Sequence, residues 1–179
     1  IVNPNQPDCA FQSKALAGVG VIFYVLLALR AFLRDQAWFE AKGIAEPNLA
    51  EFLDLVALGS VADVVPLDRN NRILVEQGLR RMRSGIMRPG IQALLEVANK
   101  SWRTLVAQDL GFAVGPRINA AGRLDDISVG IRCLLSRDVF EARGLANRLD
   151  EFNRERRLIE HTMKADAQVL LAQLPAFES

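Results

Sequence analysis

The stretch Asp138-Val139-Phe140-Glu141-Ala142-Arg143-Gly144-Leu145-Ala146-Asn147-Arg148-Leu149-Asp150-Glu151-Phe152, continued through Leu170, is the plainest reading in the chain. Apolar residues recur at Ala142, Leu145, Leu149, Phe152, Ile159, Met163, Ala167 and Leu170, in steps mostly of three and four. That period predicts an amphipathic helix running to about residue 172. Asp138 followed by Glu141 reads as a capping box that fixes its start. At 1.5 Å per residue such a helix is about 50 Å long, more than a compact domain needs. It is expected to bridge two domains, with a partner domain beyond Ser179. The chain opens on Ile1 rather than Met, which reads as a piece of something longer.

Upstream, helix follows helix. Residues 14 to 34 are apolar on all sides in their middle and predict a buried helix. Asn48 caps a helix over about 49–59, with Glu51 as its reciprocal partner. Val64, Val65 and Pro66 oppose helix in the segment that follows. Asp68 caps a helix over about 69–84, Pro89 opens one over about 89–99, and Thr104 caps one over about 105–113. A short helix over 127–136 follows. Ile1-Val2-Asn3 reads as a short strand at the end of a parallel sheet.

Composition narrows the function. Half of the 179 residues are hydrophobic and the net charge is +1. Such a chain has apolar surface enough to bury a core. One His and two widely separated Cys exclude a structural zinc site and a disulfide scaffold. Two thiols fit a reducing, cytoplasmic setting. Ala15 to Leu29 is uncharged but too short to cross a bilayer. Of the 22 basic residues 18 are Arg. That bias suits planar gripping of phosphate or carboxylate, and coding bias explains it equally well.

Three segments can carry chemistry. In Gly59-Ser60-Val61-Ala62-Asp63-Val64-Val65-Pro66, a carboxylate stands among apolar residues. Asp63 is either a metal ligand or a turn-capping, Arg-paired group. In Gly115-Pro116-Arg117-Ile118-Asn119-Ala120-Ala121-Gly122-Arg123-Leu124, Arg117, Asn119 and Arg123 sit among small residues that admit a ligand closely. The segment is either a phosphate site or a tight helix–helix corner with its arginines in solvent. Arg69, Arg72, Arg80, Arg81, Arg83 and Arg88 form a basic run that either tracks a nucleic-acid backbone or is a solvated face. Asp125-Asp126 reads as a cap, His161 as an exposed helix residue. No Ser-His-Asp set, P-loop or dinucleotide fingerprint is present.

Taken together, several segments resemble one family. They are Val2-Asn3-Pro4-Asn5-Gln6-Pro7, Ser13-Lys14-Ala15-Leu16-Ala17-Gly18-Val19-Gly20, Leu53 through Leu67, Asp68-Arg69-Asn70-Asn71-Arg72, and Gly115 through Leu124. Their order and spacing resemble the RecJ-type single-strand-specific 5′-to-3′ DNA exonucleases of the DHH phosphoesterase superfamily, over about residues 1–165. The resemblance implies an α/β fold: residues 1–136 as the mostly helical C-terminal portion of a DHH catalytic domain with a parallel sheet, and 137–179 as a long connecting helix toward a second domain. It also implies two Mn²⁺ or Mg²⁺ ions and single-stranded DNA as substrate, in recombination and repair. Asp63 matches the last metal-binding Asp of the DHH domain and would be catalytic in that sense. Arg117, Asn119 and Arg123 match a motif suited to DNA phosphates, and Ser13 and Lys14 lie in a further motif near the site.

The Asp-His-His motif that names the superfamily is absent. Two-metal hydrolysis needs both ions about 3.5–4 Å apart, each with several oxygen ligands. Asp63 alone cannot supply them, so this stretch by itself is expected to be inactive. Two other readings stay open: a DHH phosphodiesterase acting on oligoribonucleotides or cyclic dinucleotides, and a non-catalytic helical scaffold or partner-binding module.

Overall fold

The structure, a computed structural model, describes residues 1–124 and 126–173, with side chains at 1–122 and 126–171. Among them every regular element is helical and no strand occurs. The expected α/β class, with a parallel sheet entering at Ile1-Val2-Asn3, is therefore corrected: the fold is all-α here. Residues 1–3 are irregular, and Ile1 and Val2 are exposed. The Oδ1 of Asn3 accepts from the backbone N–H of Asn5 at 2.9 Å, which turns the chain. A strand exists by pairing its backbone groups with a neighbour, and no second extended segment among the described residues offers that pairing.

The elements are α1 (Gly18–Asp35), α2 (Trp38–Lys42), a 3₁₀ turn (Leu49–Phe52) leading into α3 (Leu53–Ala62), α4 (Arg69–Arg83) and α5 (Pro89–Val97). There follow α6 (Ala107–Asp109), a π-helical stretch (Leu110–Val114), α7 (Gly115–Leu124), α8 (Ser128–Leu135) and α9 (Val139–Gln173). The segment 115–124, which reads as a corner in the sequence, is a helix.

α4 begins as its sequence dictates. Asp68 Oδ1 accepts from the Asn71 backbone N–H at 2.8 Å, and its Oδ2 accepts from the Ser13 hydroxyl at 2.6 Å. These bonds favour the charged form, the first most, and hold the Asp68 carboxyl below its ordinary range. α9 begins on Asp138, whose Oδ1 accepts from the Glu141 N–H at 2.7 Å. The Glu141 carboxylate does not close the box on Asp138; it accepts from the Ser136 hydroxyl at 2.7 Å.

One core joins α3, α4, α5, α7, α8 and the first half of α9, through Met82, Ile91, Leu94, Leu110, Cys133 and Leu149. A smaller cluster seats α1 on α3 and α4 through Phe23, Val56 and Leu74. The sequence predicts α1 buried on all sides, but the chain covers one side only. Ile22, Leu29 and Phe32 on the other are 52%, 48% and 61% exposed. α9 divides in the same way. Ala142, Ala146, Leu149 and Asn153 are buried, whereas Leu158, Met163 and Leu170 face outward. No helix of the described residues is long and apolar enough to cross a membrane.

Close approach of α5 to α8 depends on Gly90. A Cβ there would lie 1.9 Å from the Cys133 carbonyl oxygen, a backbone atom that cannot swing away. Gly90→Ala should therefore cost at least about 2 kcal/mol of stability, an overpacking penalty. Gly144→Ala, where nothing lies within 4 Å, should stabilise the α9 interior by up to about 1 kcal/mol. Urea denaturation of the two variants checks both signs. Acid unfolding checks the α4 cap. Because the Asp68 carboxyl is lowered in the folded state, its contribution is present above the unfolded carboxyl value, near 4, and is lost as pH falls below it. Asp68→Asn should destabilise the chain at neutral pH and bring a smaller further loss between about pH 5 and pH 2 than the unsubstituted chain shows.

Candidate nucleic-acid and metal site

Two of the sequence segments meet where α3 ends. Val61 and Ala62 lie on the π-helical stretch and the start of α7. A Cβ on Gly111 would be 3.1 Å from Val61 Cγ1, and one on Gly115 would be 3.3 Å from the Ala62 Cβ. Small residues in the 111–115 segment thus let α3 deliver Asp63 beside the Gly115-Pro116 turn. The π-helical widening has a cause in the sequence. Pro116 has no N–H and its ring collides with the carbonyl four residues back in a regular helix. The Gly115 N–H instead donates to the Leu110 carbonyl, five residues back, which opens the turn just before the proline.

Asp63 caps the C-terminus of α3, its N–H donating to the Gly59 carbonyl at 2.9 Å. Its side chain is exposed and takes no hydrogen bond or ion pair among the described residues. The next residue, Val64, has φ +55° and is 85% exposed. A β-branched residue in the left-handed region costs of order 1–3 kcal/mol, a strain that collects at ligand-binding turns. The turn therefore holds an unpaired carboxylate outward on a strained backbone.

The three polar residues of α7 separate. Arg117 turns inward. Its Nε and Nη2 reach Asp150 Oδ1 at 2.9 and 2.8 Å, and its Nη1 donates to the Ala113 carbonyl at 2.6 Å. The side chains of Arg117 and Asp150 are 11% and 7% exposed, so this guanidinium is spent on holding α7 to α9. Asn119 faces solvent. Arg123 lies in the last turn of α7, and its side chain is outside the described residues.

Ser13 and Lys14 also part. Ser13 is buried on the Asp68 carboxylate. Lys14 is exposed, its ammonium donating to the Cys9 carbonyl. Beneath them lies Asn71, wholly buried, whose Nδ2 donates to the Ala15 and Pro66 carbonyls, each at 2.9 Å. One amide thereby ties the 13–15 segment to the 63–67 segment. Sequence reading places Asn71 in a motif without giving it this role, and it misses Asp150. The signal for Asp150 is present: a carboxylate beside Leu149 on the inner stripe of α9 has to be paired to be buried.

Among the described residues no three His, Cys, Asp or Glu side chains gather in a way that could hold a metal ion. A two-cation centre is not built from the donors of the described residues. Asp126 is taken up locally, accepting from the Ser128 N–H at 2.9 Å and the Ser128 hydroxyl at 2.6 Å. Asp125 lies outside the described residues. The basic run does not form one face. Arg80 pairs with Glu76, Arg83 donates to the Leu105 carbonyl, and Arg88 pairs with Asp54.

No family model matches the chain. Among curated proteins it is 64% identical over 174 residues to the single-stranded-DNA-specific exonuclease RecJ of Dickeya dadantii. It is 63% identical over 174 residues to the RecJ of Escherichia coli. Each match covers 97% of this chain and 30% of the relative, so the chain spans about a third of the length of the proteins it matches. A crystal structure of exonuclease RecJ bound to manganese superposes with a TM-score of 0.73 at 34% identity, over 96% of this chain and 39% of that one. RecJ of Thermus thermophilus in complex with Mg²⁺ superposes with a TM-score of 0.69 at 35% identity, over 88% of this chain and 23% of that one. Identity sustained over nearly the whole chain, with the same helical arrangement in solved relatives, shows that the chain belongs to the RecJ family of the DHH superfamily.

Proposed function

We propose that this chain is part of a metal-dependent exonuclease that degrades single-stranded DNA in the 5′-to-3′ direction during recombination and repair. The observation that carries the reading is the Asp63 turn: an exposed, unpaired carboxylate held on a strained backbone, seated against the start of α7, in a RecJ-family sequence. In this reading residues 1–136 belong to the catalytic domain and 137–179 to a connector toward a second domain. Asp63 supplies one oxygen ligand to a Mn²⁺ or Mg²⁺ centre whose other ligands the described residues do not provide. Hydrolysis is not built by these residues alone, and the chain by itself is inactive. Similarity to RecJ relatives favours the DNA exonuclease over a phosphodiesterase of oligoribonucleotides or cyclic dinucleotides.

The geometry divides the proposed site residues by what each can reach. Asn119 and Lys14 are exposed and able to meet phosphate oxygens; Arg123, matched by the family motif, is assigned with them. Arg117 and Ser13 are occupied within the protein and act by positioning, Arg117 through Asp150 and Ser13 through Asp68.

The test uses an enzyme that contains this region within a complete RecJ chain. Asp63→Ala should lower the rate of single-strand digestion by at least about a thousandfold with the melting temperature unchanged. Asn119→Ala should weaken binding of a short oligothymidylate several-fold, again without loss of stability. Near-normal digestion by Asp63→Ala would remove the metal role. Nuclease activity of the purified 179-residue chain, with contaminating nucleases excluded, would overturn its assigned inactivity.

A further inference from the structure

A second concentration of positive charge lies apart from Asp63 and α7. Arg81 from the last turn of α4, Arg88 at the start of α5 and Arg137 between α8 and α9 line one open cleft of about 410 Å³. Glu51, Asp54, Ile86 and Met87 complete its lining. Residues distant in sequence are brought there by the packing of several helices.

Of the two carboxylates, Asp54 answers only Arg88. Asp54 is 2% exposed and committed: its Oδ2 accepts from the Arg88 backbone N–H at 2.9 Å, and its Oδ1 lies 3.3 Å from the Arg88 Nε. This carboxylate already fills the N-terminus of α5, where an anion is otherwise favoured. The buried Arg88 Nε has no hydrogen-bond partner among the described residues, and the guanidinium packs over the Phe52 ring, 5.2 Å from its centroid. Arg81 and Arg137 have no side-chain hydrogen bond or ion pair among the described residues. Glu51 is exposed and has no side-chain hydrogen bond or ion pair among the described residues. Two uncommitted guanidinium forks therefore face the same cleft as Arg88, opposed by a single free carboxylate.

We infer that the Arg81–Arg88–Arg137 cleft binds a phosphate group. Three guanidinium forks lining one cleft offer more donors than the two oxygens of a carboxylate can take up, whereas a phosphate presents more oxygens in several directions. Ile86, 54% exposed, and Met87 give the mouth an apolar wall against which a sugar or base can lie. Arg80 and Arg83, from the same turn of α4, are engaged elsewhere. The inference is independent of the nuclease reading, since no residue of the cleft belongs to the Asp63 or α7 segments.

The experiment compares the 179-residue chain with its Arg81→Gln/Arg137→Gln double variant. Neither side chain holds the fold together, and circular dichroism melting confirms that both proteins are folded. Probes are inorganic phosphate and thymidine 5′-monophosphate by calorimetry, and a labelled oligothymidylate by fluorescence anisotropy across a salt series. We expect the double variant to lose at least about tenfold in affinity for one of these probes, with Arg80→Gln unchanged. Loss for all three probes identifies a site for an isolated phosphate. Loss for the oligothymidylate alone identifies a strand-backbone contact, with a salt slope shallower by about 0.7 for each phosphate released from contact. Equal affinities of the two proteins for every probe would overturn the inference. So would an oligo-aspartate peptide that binds more tightly than any phosphate probe and depends on the same arginines.

Discussion

A guanidinium and a carboxylate, Arg117 and Asp150, both largely withdrawn from water, fasten α7 to the long helix. The rest of the candidate site depends on this contact. α7 carries Asn119 and begins at the glycine against which α3 seats Asp63. If α7 rotated about its axis, the α3 end would lose its seat and Asn119 its outward aim. Burying a charge pair is costly, and breaking one by deleting a partner is costlier, because the remaining charge is stranded. The pair here is well provided for. Arg117 also donates to the Ala113 carbonyl, and Asp150 takes a second guanidinium from Arg154 at 2.5 Å. Those extra bonds complete the desolvated groups and fix a single register between the two helices.

The same logic runs through the polar groups beneath the site. Asn71 spans two backbone carbonyls, and Asp68 joins an N-cap to the Ser13 hydroxyl. Both connect the segment before α1 to the segment before α4, so two stretches far apart in sequence are held at fixed spacing under the surface. Asp54 does comparable work on the other side of α3, where it ties the start of α5 to the start of α3. The candidate site is thus underlain by a framework of buried carboxylates and amides, and the exposed Asp63, Asn119 and Lys14 stand outside it.

Much of this is legible in the sequence where the governing interaction is local. The α9 period, the Asp68 cap and the Pro89 start each depend on residues within a turn or two, and each is found where the pattern puts it. Legibility ends where an interaction spans the chain. Arg117 looks like a phosphate ligand among small residues until Asp150, 33 positions away, is brought against it. The strand expected at Ile1-Val2-Asn3 rests on backbone pairing that no described segment supplies. The all-round apolar surface of α1 reads as a buried helix, yet the chain covers only its Phe23 side. The π-helical turn could have been anticipated from Pro116, since a proline within a helical run has to be accommodated by opening the turn before it.

Arg117 belongs to the framework, which leaves the outward face of α7 open to solvent. A double-mutant cycle on folding stability, with Arg117→Met, Asp150→Asn and the two combined, tests it most directly. A coupling of at least about 1 kcal/mol is expected, with Asp150→Asn the more damaging single change because it strands a buried guanidinium while Arg154 can still answer a lone Asp150. Additive effects with no loss of stability in Arg117→Met would return that arginine to solvent and remove it from the framework.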